Sequence, residues 1–194
     1  MIASIADGLR QRDWIVREGF LSPARVAALV REALNLKEAG KFRAAGIGRD
    51  GERHAEIRGD EILWFGDERT PEAARLVSEE LEPLRLAINA AHYLGLEDFE
   101  GHYAAYAPDA AYARHLDVFQ AGNRRVVSLV LYLNEAWSAD DGGALQLYPE
   151  AHPPVTVVPS AGTLACFLSE RVPHEVRPAR RTRWSLTGWF RRRA

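Results

Sequence analysis

This chain of 194 residues has one cysteine, one methionine, little net charge and no apolar run that approaches a membrane span. Each shortage excludes something. A lone cysteine, Cys166, cannot close an internal disulfide, so a disulfide framework is ruled out and a reducing compartment is expected. It sits in the apolar run Thr163-Leu164-Ala165-Cys166-Phe167-Leu168, where a thiol is packing material and not a nucleophile. A formal charge of −2 argues against a general nucleic-acid binder, which carries a basic excess. Arginines gather late, at Arg177, Arg180, Arg181, Arg183 and Arg191 to Arg193, and read as a solvated end of the chain in preference to a phosphate patch. Charges are scattered through residues 1–14, which leaves no secretory core, and no segment is long enough to cross a bilayer. The expected location is cytoplasmic, with neither membrane nor nucleic acid as a partner. There is no internal repeat, linker or low-complexity stretch.

What is present is 47% apolar residues, enough for a substantial core, and one domain over residues 1–194 is expected. Residues 1–95 read as helical support with a mobile loop, and residues 96–194 as a sheet core. Trp14-Ile15-Val16-Arg17 is a short strand. Ser22-Pro23 supplies an N-cap and a first-turn proline for a helix with Val26, Leu29, Val30, Ala33 and Leu34 on one face, and Gly40 can end it. Residues 44–59, rich in glycine and charge, read as a mobile loop, and Ile62-Leu63-Trp64-Phe65 as a strand. A second helix opens at Thr70-Pro71-Glu72, with Pro83 expected to kink or split it. Strands then follow at 99–107, 112–118, 126–133, 144–148, 155–158, 163–168, 174–176 and 183–190, with Asp141-Gly142-Gly143 as a hairpin-type turn. Eight short strands with glycine and proline turns predict an α+β, mainly β, double-sheet jelly roll, its outer face covered by the two helices.

On that scaffold one spacing points to chemistry. His115 and Asp117 are two apart, and on a strand such residues share a face. His174 lies 57 residues beyond Asp117, and Arg183 nine beyond that. Two imidazoles and a carboxylate form the facial triad of non-haem Fe(II) oxygenases, with open positions left for other ligands. Arg183, Ser185, Thr187 and Trp189 alternate onto one strand face. A guanidinium there has the planar fork that matches a carboxylate, such as the far end of 2-oxoglutarate. An internal salt bridge for Arg183 is the alternative. A zinc hydrolase could use the same three ligands, but it would leave Arg183 unexplained.

Residues 57–190, about two thirds of the chain, also resemble the 2-oxoglutarate- and Fe(II)-dependent prolyl hydroxylases, in particular the hypoxia-sensing branch and its bacterial relatives. The resemblance rests on Ile57-Arg58-Gly59-Asp60, Tyr112-Ala113-Arg114-His115-Leu116-Asp117, Tyr132-Leu133-Asn134, Gly142-Gly143-Ala144-Leu145, Pro149-Glu150, Pro173-His174-Glu175-Val176 and Thr182-Arg183-Trp184. It implies His115, Asp117 and His174 as iron ligands and catalytic residues. It implies Arg183 and Tyr132 on the distal carboxylate of 2-oxoglutarate, with Tyr106 against the cosubstrate and Thr187 beside it. Trp189, Arg58, Asp60 and Arg125 fall at the substrate side, with residues 44–59 as the loop that folds over a peptide. The implied cofactors are Fe(II), 2-oxoglutarate and O2, with ascorbate as reductant. The implied partner is a proline-containing protein or peptide, for which elongation factor Tu is a family-based candidate. Hydroxylation of a free amino acid or small metabolite and a non-catalytic metal-binding module are the competing readings. Two segments depart from the animal oxygen sensors: Val118-Phe119-Gln120-Ala121-Gly122-Asn123 is more apolar, and Tyr106-Ala107-Pro108-Asp109 lacks their Pro-Gly. Both bear on substrate identity. His54, His92, His102 and His152 lack metal-like spacing to the triad, and His102 is given no role.

Overall fold

Along the last strand every second side chain changes sides, and that alternation organises the molecule. In the computed structural model, which describes residues 1–46, 57–66, 70–117 and 124–193, this strand is β11 (Arg183–Arg192). Trp184, Leu186 and Phe190 turn towards a core shared with the helices, while Arg183, Thr187 and Trp189 line a cavity on the opposite side. Its neighbours β4 (Leu96–Tyr106) and β6 (Arg125–Tyr132) follow the same rule. Tyr103, Ala105, Leu129 and Leu131 meet the helices, whereas Ala104, Tyr106, Val130 and Tyr132 face inward.

The larger antiparallel sheet has seven strands in the order β1 (Trp14–Arg17), β9 (Leu164–Leu168), β6, β11, β4, β3 (Asp60–Trp64), β2 (Arg43–Ala44). The smaller has four, β5 (Tyr112–His115), β10 (His174–Val176), β7 (Leu145–Leu147) and β8 (Val155–Val157), in that order. The two inner faces close on Val130, Tyr132, Leu145, Leu147, Phe167, Val172 and Val176. This is the expected jelly roll, and its eight strands from β4 onward are the eight read from the sequence. Cys166 is fully buried, and burial pushes its thiol up to about 12.

Helix α2 (Pro23–Glu38) starts at Ser22, whose side chain accepts from the Arg25 amide at 3.3 Å. Helix α3 (Glu72–His92) has no side-chain cap of its own. Glu32 of α2 serves instead, accepting from the amides of Ala73 and Ala74 at 2.7 and 3.2 Å and from the Tyr103 hydroxyl at 2.7 Å. One half-buried carboxylate thus joins two helices and the large sheet.

The structure corrects several expectations. A further helix, α1 (Ile2–Arg12), precedes β1, and its Ile5, Ala6 and Leu9 are buried in the outer core. Pro83 does not split α3, which runs unbroken for 21 residues. Loss of one helical hydrogen bond is outweighed by Val77, Leu81, Leu84 and Ile88, all fully buried, each worth about 1.5–3 kcal/mol of transfer free energy. Strand β5 stops at His115 instead of 118. Asp141-Gly142-Gly143 is not a two-residue hairpin: a 3-10 turn, Ala139–Asp141, leads into two glycines with positive φ. The late arginines other than Arg183 and Arg191 are exposed, as expected of a solvated end, with Arg181 paired to Asp141 and Arg177 to Glu175, while Arg191 pairs with Asp98 and Glu100. Most of the expected loop, residues 47–56, and the 118–123 segment lie outside the described residues.

Pro83 is exposed, so its replacement touches the backbone of α3 and little else. Pro83→Ala restores an amide donor inside an otherwise regular helix and is expected to stabilise the protein by about 1–2 kcal/mol, the helix-interior gain less the lost rigidity of the unfolded chain. A urea denaturation midpoint that falls on this substitution would contradict the account.

Candidate metal and cosubstrate site

Strand register brings the triad together. His174 on β10 pairs directly with His115 on β5, and Asp117 lies two residues past the end of that strand. Leu116 between them is 41% exposed, so the alternation of sides persists beyond the last ladder bond. The nearest ligand atoms of His115, Asp117 and His174 lie within 4.8 Å of one another. Each Nε2 stands 3.6 Å from a different oxygen of Asp117, His115 from Oδ1 and His174 from Oδ2.

The orientation of both rings has a cause. His115 Nδ1 lies 2.7 Å from the carbonyl of Ala113, and His174 Nδ1 lies 3.1 Å from that of Val172. With the proton on Nδ1, each imidazole presents a bare Nε2 to the centre, the tautomer a metal requires. Tyr112 stacks on His115 with centroids 3.6 Å apart, and Phe167 packs 4.6 Å from His174. Ser128 Oγ donates to Asp117 Oδ2 at 2.6 Å and is itself bonded to Ser169. Burial alone raises the Asp117 carboxyl pKa, but the two histidines and the Ser128 hydroxyl overcome it and hold the group well below the carboxylate range. Burial lowers His174 to about 4, with Asp117 opposing, which keeps the imidazole neutral. Neutral nitrogen donors with one carboxylate and no thiolate suit Fe(II).

Arg183 lies in the same cavity, only 1% exposed. Its Nε donates to the carbonyl of Gly143 at 2.9 Å, and its Cζ stands 5.1 Å from the ring centres of both Tyr106 and Tyr132. Among the described residues no carboxylate forms an ion pair with it, so the internal salt bridge weighed from the sequence is absent there. Among the described residues the buried Tyr132 hydroxyl has no hydrogen-bond partner, and burial raises it to about 12, with Arg183 pulling the other way. A buried cation beside an unused hydroxyl lacks an anion. A bidentate carboxylate supplies what both need. Gly143 is part of this cradle: its φ is +69°, and a Cβ there would stand 3.2 Å from Arg183 Cδ and 2.9 Å from Ala179 Cβ. The donor set and the orphaned groups therefore fit iron and a dicarboxylate cosubstrate.

The remaining sequence candidates are spread around the same cavity. Arg58 and Asp60, which the resemblance puts at the substrate side, form a largely buried bidentate pair at 2.7 and 3.0 Å. Arg58 also covers the Tyr112 ring at 4.8 Å. It is placed there because residues 57–59 run beside β5, with Gly59 and Ala113 amides bonded across at 2.9 and 2.8 Å. Arg125 binds Glu100 at 2.6 Å and stacks 3.6 Å over Trp189. Thr187 lines the wall and bonds Ser185. Sequence reasoning missed Ser128, Gly143 and the two carbonyls that set the tautomers, while His102, named there without a role, lines the cavity. Only the inward alternation of β6 could have flagged Ser128.

Comparison with known proteins agrees with this geometry. Residues 101–191 match the model of the 2OG-Fe(II) oxygenase superfamily. A prolyl-4-hydroxylase from Pseudomonas putida superimposes with a TM-score of 0.92 at 44% identity, covering 100% of both chains. A prolyl hydroxylase from Trichoplax adhaerens, solved with a peptide fragment of the hypoxia-inducible factor oxygen degradation domain, superimposes at 0.90 with 29% identity, covering 98% of this chain and 89% of that one. The human Egl nine homolog 1 is 30% identical over 185 residues, covering 90% of this chain. The chain spans only 43% of that relative's length.

Asp117→Ala leaves two neutral donors facing a divalent cation and is expected to abolish Fe(II) binding at micromolar metal. Unchanged iron affinity in an anaerobic titration would remove Asp117 from the site.

Proposed function

This chain belongs to the 2-oxoglutarate- and Fe(II)-dependent oxygenase superfamily, and on that premise we propose that it is a protein prolyl hydroxylase. The observation that carries the cosubstrate half is the buried Arg183 guanidinium, which has no carboxylate partner among the described residues and stands beside the unpartnered Tyr132 hydroxyl. The substrate half rests on likeness to enzymes named for proline, one of them solved with a peptide.

His115, Asp117 and His174 would hold Fe(II). With 2-oxoglutarate and O2, the bound metal supplies oxidative decarboxylation to succinate and CO2, coupled to hydroxylation of a C–H bond. Every other part of the work is orientation. Nδ1–H bonds to Ala113 and Val172 keep both imidazoles turned inward, and Ser128 fixes the carboxylate. Arg183 and Tyr132 receive the distal carboxylate of 2-oxoglutarate, which sets the cosubstrate's depth and register. Tyr106 packs along it, and Thr187 offers a hydroxyl on the same wall. Trp189, with Arg125 stacked on it, and the Arg58–Asp60 pair form the side on which substrate enters. Water exclusion there protects the reactive stage.

We further propose a cytoplasmic enzyme with ascorbate as reductant and elongation factor Tu as a candidate target. Mass spectrometry of host-cell lysate proteins after incubation with enzyme, Fe(II) and 2-oxoglutarate is expected to find a gain of about 16 Da, one oxygen atom, on proline residues. Oxidation confined to free metabolites, or to residues other than proline, would replace this reading with the small-molecule one.

The cosubstrate assignment has its own test. Arg183→Ala is expected to leave iron bound while weakening 2-oxoglutarate by about 2–5 kcal/mol, roughly 30-fold to several thousand-fold. Wild-type cosubstrate affinity in that variant would refute the role.

A further inference from the structure

His102 lies in the cavity wall but has none of the roles above. It is 1% exposed, and among the described residues neither ring nitrogen has a hydrogen-bond partner. Register fixes its place on β4, opposite Trp64 of β3 and Thr187 of β11. Trp64 and Trp189 hold the imidazole by edge contacts, with centroids 4.6 and 5.5 Å away and planes at 67° and 89°. The Trp189 indole is 4% exposed, and its Nε1 is likewise buried without a partner. From another side the Arg125 guanidinium lies 3.6 Å over that indole. Three unmet hydrogen-bonding groups on two clamped rings therefore share one end of the cavity.

Buried polar groups are almost always paired, so such a cluster on a cavity wall marks where something bound completes it. Position limits what that is. Thr187, level with His102, is four residues from Arg183 along β11, roughly 13 Å at strand spacing. A diacid whose two ends are taken up by Arg183 and the triad has no carboxylate left for that end, and carboxylates only accept. The partner comes from whatever else enters the cavity. Burial drives the imidazole pKa down to about 4, with Arg58 adding to it, so the ring is neutral near pH 7 and offers one donor and one acceptor. The indole offers a donor only. A peptide chain through proline carries the matching inventory. The peptide bond before proline has a carbonyl and no N–H, which suits the indole. The one after it has both groups, which suits the imidazole.

We infer that His102, together with the Trp189 indole N–H, is a specificity-determining residue that binds the peptide backbone on either side of the target proline. The inference rests on the prolyl-hydroxylase reading, and goes beyond it by assigning the backbone contacts. It makes recognition at this end one of main chain, tolerant of neighbouring side chains but intolerant of a free amino acid.

The test compares the wild-type protein with His102→Met, His102→Gln and Trp189→Phe. Lysate incubations first identify an oxidised proline, and a peptide around it then gives kcat and KM for each variant. His102→Met is expected to lower kcat/KM by about tenfold or more, chiefly through KM, since the apolar side chain leaves substrate groups unpaired. His102→Gln keeps a donor and an acceptor and is expected to stay within about threefold of wild type, with Trp189→Phe weaker in the same sense as His102→Met. Anaerobic titration of Fe(II) and 2-oxoglutarate into each variant reads the integrity of the cavity. Wild-type KM in His102→Met overturns the inference and leaves the prolyl reading standing. Equal loss of 2-oxoglutarate affinity in His102→Met and His102→Gln also overturns it, since the ring would then be wall and not contact. If the wild-type protein oxidises no proline in the lysate, the prolyl reading fails, and this inference with it.

Discussion

A guanidinium sealed inside a sheet sandwich needs an anion, and that need constrains the rest of this molecule. Arg183 is 1% exposed, its Nε donates to the neutral carbonyl of Gly143, and no carboxylate among the described residues pairs with it. Desolvating an isolated charge costs several kcal/mol even after relaxation, so the fold carries an electrostatic debt in its free state. Opposite it, the triad brings one carboxylate and two imidazoles, which bind a metal in their uncharged form. A divalent cation at the triad and a dianion spanning from it to Arg183 would cancel every charge between them. Neither alone would. The site is thus balanced for two ligands together, which favours their joint occupancy of a low-dielectric cavity.

That balance depends on register more than on any single contact. The pairing of His174 with His115 and the alternation along β11 place metal ligands and guanidinium on walls that face one another. Because the side-chain period of a strand is two, a one-residue slip of β11 would send Arg183 into the helix-packed core and turn Trp184 into the cavity. Leu186 and Phe190, both about 1% exposed on the other side, oppose that slip. The apolar face therefore does the positioning for the polar one, and Glu32 fixes the helices that cover it.

How much of this was legible follows from which signals are local. His115 and Asp117 share a face by spacing alone, and the 183–189 alternation gave the cavity side of β11. The joining of His174 to that pair is a long-range pairing, and the resemblance carried it. Helix α1 has Ile2, Ile5, Ala6 and Leu9 at helical spacing, but the charges scattered among them blunt that signal. Gly8 inside it reads as a breaker, yet a Cβ there would stand 2.4 Å from Ile15 Cδ1, so the residue permits close docking on β1. Arg58 and Asp60 look like surface charges in a row of letters; only three-dimensional pairing makes them a buried unit. The same holds for Ser128, a serine among valines and leucines whose partner, Asp117, is read only once the two sheets are laid face to face.

The cavity has two ends with different physical character, and this follows from the same strands. Near Arg183 the groups are ionised or strongly dipolar, held by a glycine turn that excludes any larger residue. Near Trp189 the charge of Arg125 is already paired with Glu100, and aromatic rings dominate. An anion gains most at the first end, where its charge meets an unpaired cation. A neutral, partly apolar chain gains most at the second, where it displaces little bound solvent and meets rings already fixed in orientation. Discrimination between cosubstrate and substrate then needs no gate: each is repelled from the other's end by the cost of leaving its polar groups, or the protein's, without partners.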